Sequence, residues 1–356
     1  MKSFNKVKGL VLTGGMALFL AACGGNDAPA GGGGGATGGG GATGGEAAQQ
    51  ATTVLRLGHL GSPISTWHLA SLHFAELVYE KTDGGVEIQV FPSEQLGPEV
   101  DVINSIQLGT ADMVISGESM QAWAPIVGLM AAPYLIEDTE HMRRVLASDI
   151  GAMFAREIEE NVGLVPLTYF VRGPRQLTSN TPIHTLADAQ GLRLRIPNVP
   201  IFVDVWAALG ASPTTMAFSE VFTSLQQNVI DAQENPLAQI YAGAFGEVQG
   251  YLNNTQHVTS WIYLLIGVNQ WNALTPTQQD AIMEAAAIAQ AYEHQLFLDE
   301  EEYLFTYLTE TLGMTFIETN QQEFFDVVFD FYMNGGLTPE ELEVFMAISE
   351  LRASGN

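Results

Sequence analysis

Between residues 54 and 116, short β-branched runs alternate with helix-length amphipathic runs, and this alternation leaves the chain few ways to fold. Residues 54–58 (VLRLG), 85–91 (GVEIQVF) and 111–116 (ADMVIS) read as strands. Residues 65–81 and 97–108 read as helices, the first capped by Ser65 or Thr66 and carrying Leu69, Leu72, His73, Leu77 and Val78 on one side. Strands separated by helices have room for crossovers, so the pattern predicts a mostly parallel α/β sheet. Further helices are expected at 139–147 and 149–161, and a strand at 163–170. A second α/β unit opens at GLRLRIP, residues 191–197, followed by a helix at 199–209. An apolar strand at 262–268 leads into a helical stretch from 276 to about 312 with no internal Gly or Pro, and two helices close the chain at 321–333 and 338–352. No repeat is visible.

Two α/β units and one helix long enough to span both predict an α/β, two-lobed fold with a cleft between the lobes. The expected division is 53–172 plus 261–300 for the first lobe and 173–260 plus 301–356 for the second. Ligands of such folds sit outside the carboxyl ends of the strands.

The beginning of the chain follows a different logic. Lys2, Lys6 and Lys8 precede an apolar run at 9–22, too short for a comfortable membrane span, so residues 1–22 read as a secretory signal peptide. The run ends in Leu-Ala-Ala-Cys, which resembles a bacterial lipobox with Cys23 as the lipidated residue. That lipid would anchor the chain to a membrane without spanning it. Cys23 is the single cysteine, which excludes internal disulfides and cysteine metal sites. Residues 23–52 are a glycine-rich tether.

Charge narrows the choice of partner. With 13 Lys+Arg against 40 Asp+Glu, the 356-residue chain carries a formal charge of −27, which argues against nucleic acid and anionic membrane surfaces. Four of its nine arginines, Arg172, Arg175, Arg193 and Arg195, fall within 24 residues. Guanidinium presents a planar fork of donors that matches a carboxylate. In a strand Arg193 and Arg195 share one face, roughly 7 Å apart. Arg195 stands at the strand's carboxyl end before Pro197, the place for a carboxylate clamp. Arg193 is expected to be solvated or salt-bridged. Enzyme motifs of the GxSxG, HExxH, P-loop and CxxC types are absent from the sequence, and His68 and His73 are wrongly spaced for a zinc pair on one helical face. No cofactor or metal is expected.

The stretch 173–240, with GPRQLTSN, GLRLRIPN and GASPTTMAFSEVFTSLQQNVIDAQENPLAQI, resembles the solute-binding subunits of tripartite ATP-independent periplasmic (TRAP) transporters, the DctP family. The similarity runs from about residue 55 to beyond 330 and includes FAELVYEKTDGGVEIQVFPSEQLG. It implies a two-lobed, periplasmic-binding-protein-like fold and a monomeric extracytoplasmic protein that captures an organic acid and delivers it to membrane permease subunits, without chemistry. Carried onto this sequence, it implies that Arg195 forms a bidentate pair with the ligand carboxylate, that Arg175 and Asn235 hold the same group, and that Phe218 packs on the ligand. Asn198, closing the RIPN stretch, joins them. Glu118 aligns with a position that accepts ligand hydroxyls in sialic-acid binders, whereas Gln121 stands where those binders have an arginine. A carboxylate at Glu118 would repel a second ligand carboxylate, which favours a polyhydroxylated monoacid such as a uronate or aldonate. His59, Trp67 or His68, and Trp261 are further candidates for the cleft, Trp261 either stacking on a sugar face or belonging to the core. A four-carbon dicarboxylate binder, a sensor ectodomain and a secreted enzyme acting on acidic sugars are the alternatives.

Overall fold

A computed structural model describes residues 52–352. The signal peptide, Cys23 and all but the last residue of the tether lie outside the described residues. Among the described residues, no helix is long and apolar enough to cross a membrane.

Among the described residues, eleven strands form two sheets. They are β1 (Thr53–Gly58), β2 (Val86–Phe91), β3 (Met113–Ser116), β4 (Leu164–Arg172), β5 (Gln176–Ser179), β6 (Arg193–Ile196), β7 (Ser212–Thr215), β8 (Ala232–Asn235), β9 (Tyr251–Asn253), β10 (Ser260–Gly267) and β11 (Thr315–Ile317). The first sheet has the order β2-β1-β3-β10-β4 and the second β11-β9-β5-β8-β6-β7. The expected parallel opening is present, since β1 pairs parallel with both β2 and β3. The rest of that sheet is mixed: β10 returns from late in the chain and inserts antiparallel between β3 and β4. In the second sheet β6 runs parallel to β7 and β8, while β5 runs antiparallel to β8 and β9. This sheet therefore begins at β5, one strand before the GLRLRIP stretch.

The helices are α1 (Thr66–Lys81), α2 (Glu99–Gln107), α3 (Thr139–Leu146), α4 (Asp149–Glu157), α5 (Pro200–Ala208), α6 (Phe218–Gln226), α7 (Leu237–Ala242), α8 (Val268–Asn272), α9 (Pro276–Thr306), α10 (Gln321–Phe331) and α11 (Pro339–Glu350). Ser65 caps α1, its hydroxyl accepting from the His68 N–H. The buried face of α1 differs from the expected one. Trp67, Ala70, Ser71, Phe74 and Val78 point inward, while Leu69 and Leu72 are exposed. Both stripes have helical spacing, and the aromatic one wins because Trp67 and Phe74 bury more surface.

The 31-residue α9 packs on α1 and β4 of the first lobe and on α7 of the second. Its Ile282, Ala285, Ala286 and Ala289 join the core around Leu57 and Phe74. Leu304 joins the separate core around Val221 and Ile240. Thr275 closes a capping box at its start, with Pro276 in the first turn. The last helix departs from the expected division of the chain. The His141 ring of α3 donates to the Ile348 carbonyl at 2.9 Å, and Arg144 donates to the Leu351 carbonyl at 2.7 Å. These bonds tie α11 to the segment between β3 and β4.

Candidate functional site

A cavity of about 350 Å³ opens between the two sheets. Arg175, Arg195, Asn198, Phe218 and Asn235 line it from the second lobe, and Glu118 and Arg172 line it from the first. Six of the nine candidate ligand-binding residues thus meet at one place.

Strand β6 explains Arg195. Leu194 and Ile196 face the core, so residues 193 and 195 share the other face. Arg193, at the strand's start, is exposed and pairs with Asp231 at 2.5 Å. Arg195, at its carboxyl end, is only 3% exposed. Its Nε and Nη2 donate to the Met216 carbonyl at 3.1 and 2.7 Å. Among the described residues no carboxylate lies within ion-pairing distance of it. Burial pushes its guanidinium down to about 10, the nearby Glu234 resisting and Arg175 assisting.

The neighbouring arginines are matched. Arg172 donates to both carboxylate oxygens of Glu118, at 2.8 and 2.6 Å. It also lies over the Trp67 ring, 5.6 Å from the centroid. Arg175 clamps the Glu234 carboxylate through Nε and Nη2, and its Nη1 faces Glu118 at 3.5 Å. Burial alone would raise the Glu234 carboxyl; the Arg175 charge and hydrogen bonds outweigh it and hold it at about 2. Burial keeps His257 low, so the ring is neutral and donates through Nε2 to Glu234 at 2.9 Å. Glu118 is likewise held below the usual carboxylate range, since Arg172 and Arg175 together overcome its burial. Three guanidiniums thus face two ion-paired carboxylates, and the unmatched charge is Arg195.

These contacts revise two expectations. Glu118 is not a free acceptor repelling a second ligand carboxylate, because Arg172 neutralises it. Arg175 does not offer its whole fork to a ligand, because two of its three nitrogens are taken by Glu234. Three candidates do not line the cavity. Trp261 is fully buried on the interior strand β10, near Phe154 and Tyr263, and belongs to the core. Trp67 lies beneath Arg172. His59 is buried against His68, with Nε2 and Nδ1 3.2 Å apart, and burial followed by the charge of His68 lowers it to about 3.

Sequence reasoning overlooked the acids of the mouth. Glu94, Glu99 and Asp101 also line the cavity. Burial raises the Glu99 carboxyl, although it accepts from Ser116 Oγ at 2.5 Å. The signal for Glu99 and Asp101 was their place in the first turn of a helix that starts at a strand's carboxyl end.

Known proteins share this fold. The model of the bacterial extracellular solute-binding proteins, family 7 (DctP), matches residues 57–332. A solute-binding protein of Roseobacter denitrificans is 52% identical over 270 residues, 76% of this chain and 83% of its own length. The crystal structure of a TRAP periplasmic solute-binding protein from Roseobacter denitrificans, with bound L-galactonate, superposes with a TM-score of 0.81 at 48% identity, covering 83% of this chain and 98% of that one. A TRAP periplasmic solute-binding protein from Haemophilus influenzae, with bound L-gulonate, gives a TM-score of 0.80 at 31% identity, covering 85% of this chain and all of that one.

Proposed function

Because the chain belongs to the DctP family of bacterial extracellular solute-binding proteins, we propose that its cleft captures a sugar acid, an aldonate or uronate, outside the cytoplasm and hands it to a TRAP permease. The observation that carries the substrate class is Arg195, a buried guanidinium on the cavity wall with no acid of its own. A ligand carboxylate supplies the missing charge. Arg195 offers its remaining nitrogen and redirects its fork from Met216; the Asn235 amide and Arg175 Nη1 complete the donors. Glu99, Ser119 and Asn198 bring acceptors and donors for hydroxyl groups. The 350 Å³ volume suits a six-carbon acid rather than a large one. L-Galactonate in the similar Roseobacter denitrificans protein supports the same class.

In this reading the protein binds and releases without making or breaking bonds, and Cys23 carries a lipid that holds it to the membrane through the glycine-rich tether. Isothermal titration against L-galactonate, L-gulonate, galacturonate, succinate and galactose tests the class. Saturable binding of a sugar acid, with no binding of the neutral sugar, is expected. Preference for succinate would show that the cleft is a dicarboxylate site.

A further inference from the structure

Glu94 lines the same cavity but belongs to no ion pair among the described residues. It comes from the first lobe, in the loop after β2, and its carboxylate accepts from the backbone N–H of Ser219 at 3.3 Å. Ser219 is the second residue of the nine-residue α6, in the opposite lobe, and Phe218 beside it lines the cavity. Glu94 therefore holds a negative charge across the cleft, over the first turn of α6. The backbone fixes it there. Ser93 and Glu94 both have φ in the left-handed region, +55° and +57°, uncommon for residues other than glycine. Ser93 N–H bonds to the Gly61 carbonyl at 2.9 Å and Glu94 N–H to the His59 carbonyl at 3.1 Å.

Among the described residues no carboxylate pairs directly with Arg195, although Glu94 and Glu99 act on it from beyond ion-pairing distance. A first ligand carboxylate takes that place, and no cation remains for a second. Glu118 cannot repel a second carboxylate, being neutralised by Arg172. Asp101, a further acid of the mouth, is exposed on α2. Burial favours the neutral form of Glu99. Building on the sugar-acid reading, we propose that Glu94 is the specificity-determining residue that rejects diacids: its carboxylate, pinned between the lobes, meets the far end of a ligand held at Arg195. A terminal CH₂OH donates a hydrogen bond to it; a terminal carboxylate is repelled and leaves both groups under-solvated.

The test is the ratio of affinities for galactonate and galactarate, which differ by a terminal CH₂OH against a second carboxylate. Wild type, Glu94→Gln and Asp101→Asn are titrated with both acids at neutral pH and low salt. Glutamine keeps an oxygen for the Ser219 N–H and removes the charge. The wild type is expected to favour galactonate by at least tenfold. Glu94→Gln should reduce that preference at least tenfold, chiefly by tighter galactarate binding, while Asp101→Asn changes it less than threefold. Equal affinities in the wild type, or an unchanged ratio in Glu94→Gln, would overturn the role of Glu94 and leave the sugar-acid reading intact. An effect of Asp101→Asn as large as that of Glu94→Gln would also overturn it, in favour of the general field of the mouth. Failure of the wild type to bind either acid would overturn the sugar-acid reading, and this inference with it.

Discussion

Arg195→Met should make the empty protein more stable and the site useless. At pH 7 the Arg195 guanidinium is charged in both the folded and unfolded states, so its full burial cost is present. Its displacement from 12.5 to about 10 corresponds to about 3 kcal/mol. Methionine replaces the unbranched stem and carries no charge, so it removes that cost. Against this stands the loss of two hydrogen bonds to the Met216 carbonyl, worth about 1–2 kcal/mol together once that carbonyl turns to the open cleft. The balance is a gain of about 1–2 kcal/mol for the apo form, or a few degrees in Tm. Ligand binding should fall by about 2–5 kcal/mol, the usual loss on truncating a buried charge pair. Arg195→Lys keeps the charge without the fork and should recover part of the binding. Thermal and urea denaturation, with and without L-galactonate, measures both effects, since a ligand bound to the folded state raises its midpoint. An apo Arg195→Met variant less stable than wild type, with the ligand-induced shift retained, would refute the idea of an uncompensated charge waiting for an anion.

Glu118→Gln strands Arg172 in the interior and should cost about 3–5 kcal/mol, weakening mono- and dicarboxylates alike; selective improvement of succinate in competition binding would contradict the ion-pair role. Glu293 is buried on α9, accepts from the Val171 N–H at 3.0 Å, and is raised by burial from 4.5 to about 8. The unfolded chain loses this proton near pH 4.5 and the folded chain only near pH 8, so stability is lost as pH rises between them. Glu293→Gln should therefore add roughly 3–5 kcal/mol at pH 8.5 and almost nothing at pH 4, read from urea midpoints; equal effects at both pH values would rule out the titration. Cys23→Ser should move the expressed protein from the membrane fraction to the soluble extracytoplasmic fraction, and unchanged fractionation would exclude the lipid anchor.

The two-lobed α/β architecture was legible because strand and helix periodicities are local. The place of Arg195 on the cavity wall was legible because an arginine that closes a strand before a proline falls at the carboxyl end, where such clefts open. The parallel pattern of 54–116 gave no hint that β10, about 150 residues later, completes the sheet, since strand insertion depends on pairing at long range. The Arg172–Glu118 pair escaped for the same reason: its partners are 54 residues apart, and each alone reads as a free charge. Trp261 was ambiguous because an apolar ring suits a core and a sugar face equally; burial on both faces of β10 decides it. The acids of the cleft mouth were hidden in a chain with forty carboxylates, where one more carries no information until the fold places it.

Helix α9 has a mechanical consequence. At 1.5 Å per residue its 31 residues form a rod about 46 Å long, fastened at one end by Ile282 to Ala289 and at the other by Leu304. Between the fastenings the one fully buried side chain is Glu293. A swing of one lobe against the other would bend the helix between these fastenings, where Glu293 accepts from the Val171 N–H and Phe297 packs on the neighbouring core. A bend of about 20° there, of the size long helices accommodate, would sweep an end 23 Å away through about 8 Å. That is the width of a sugar acid. Such a bend would gear a small local deformation into an opening of the mouth with both cores intact.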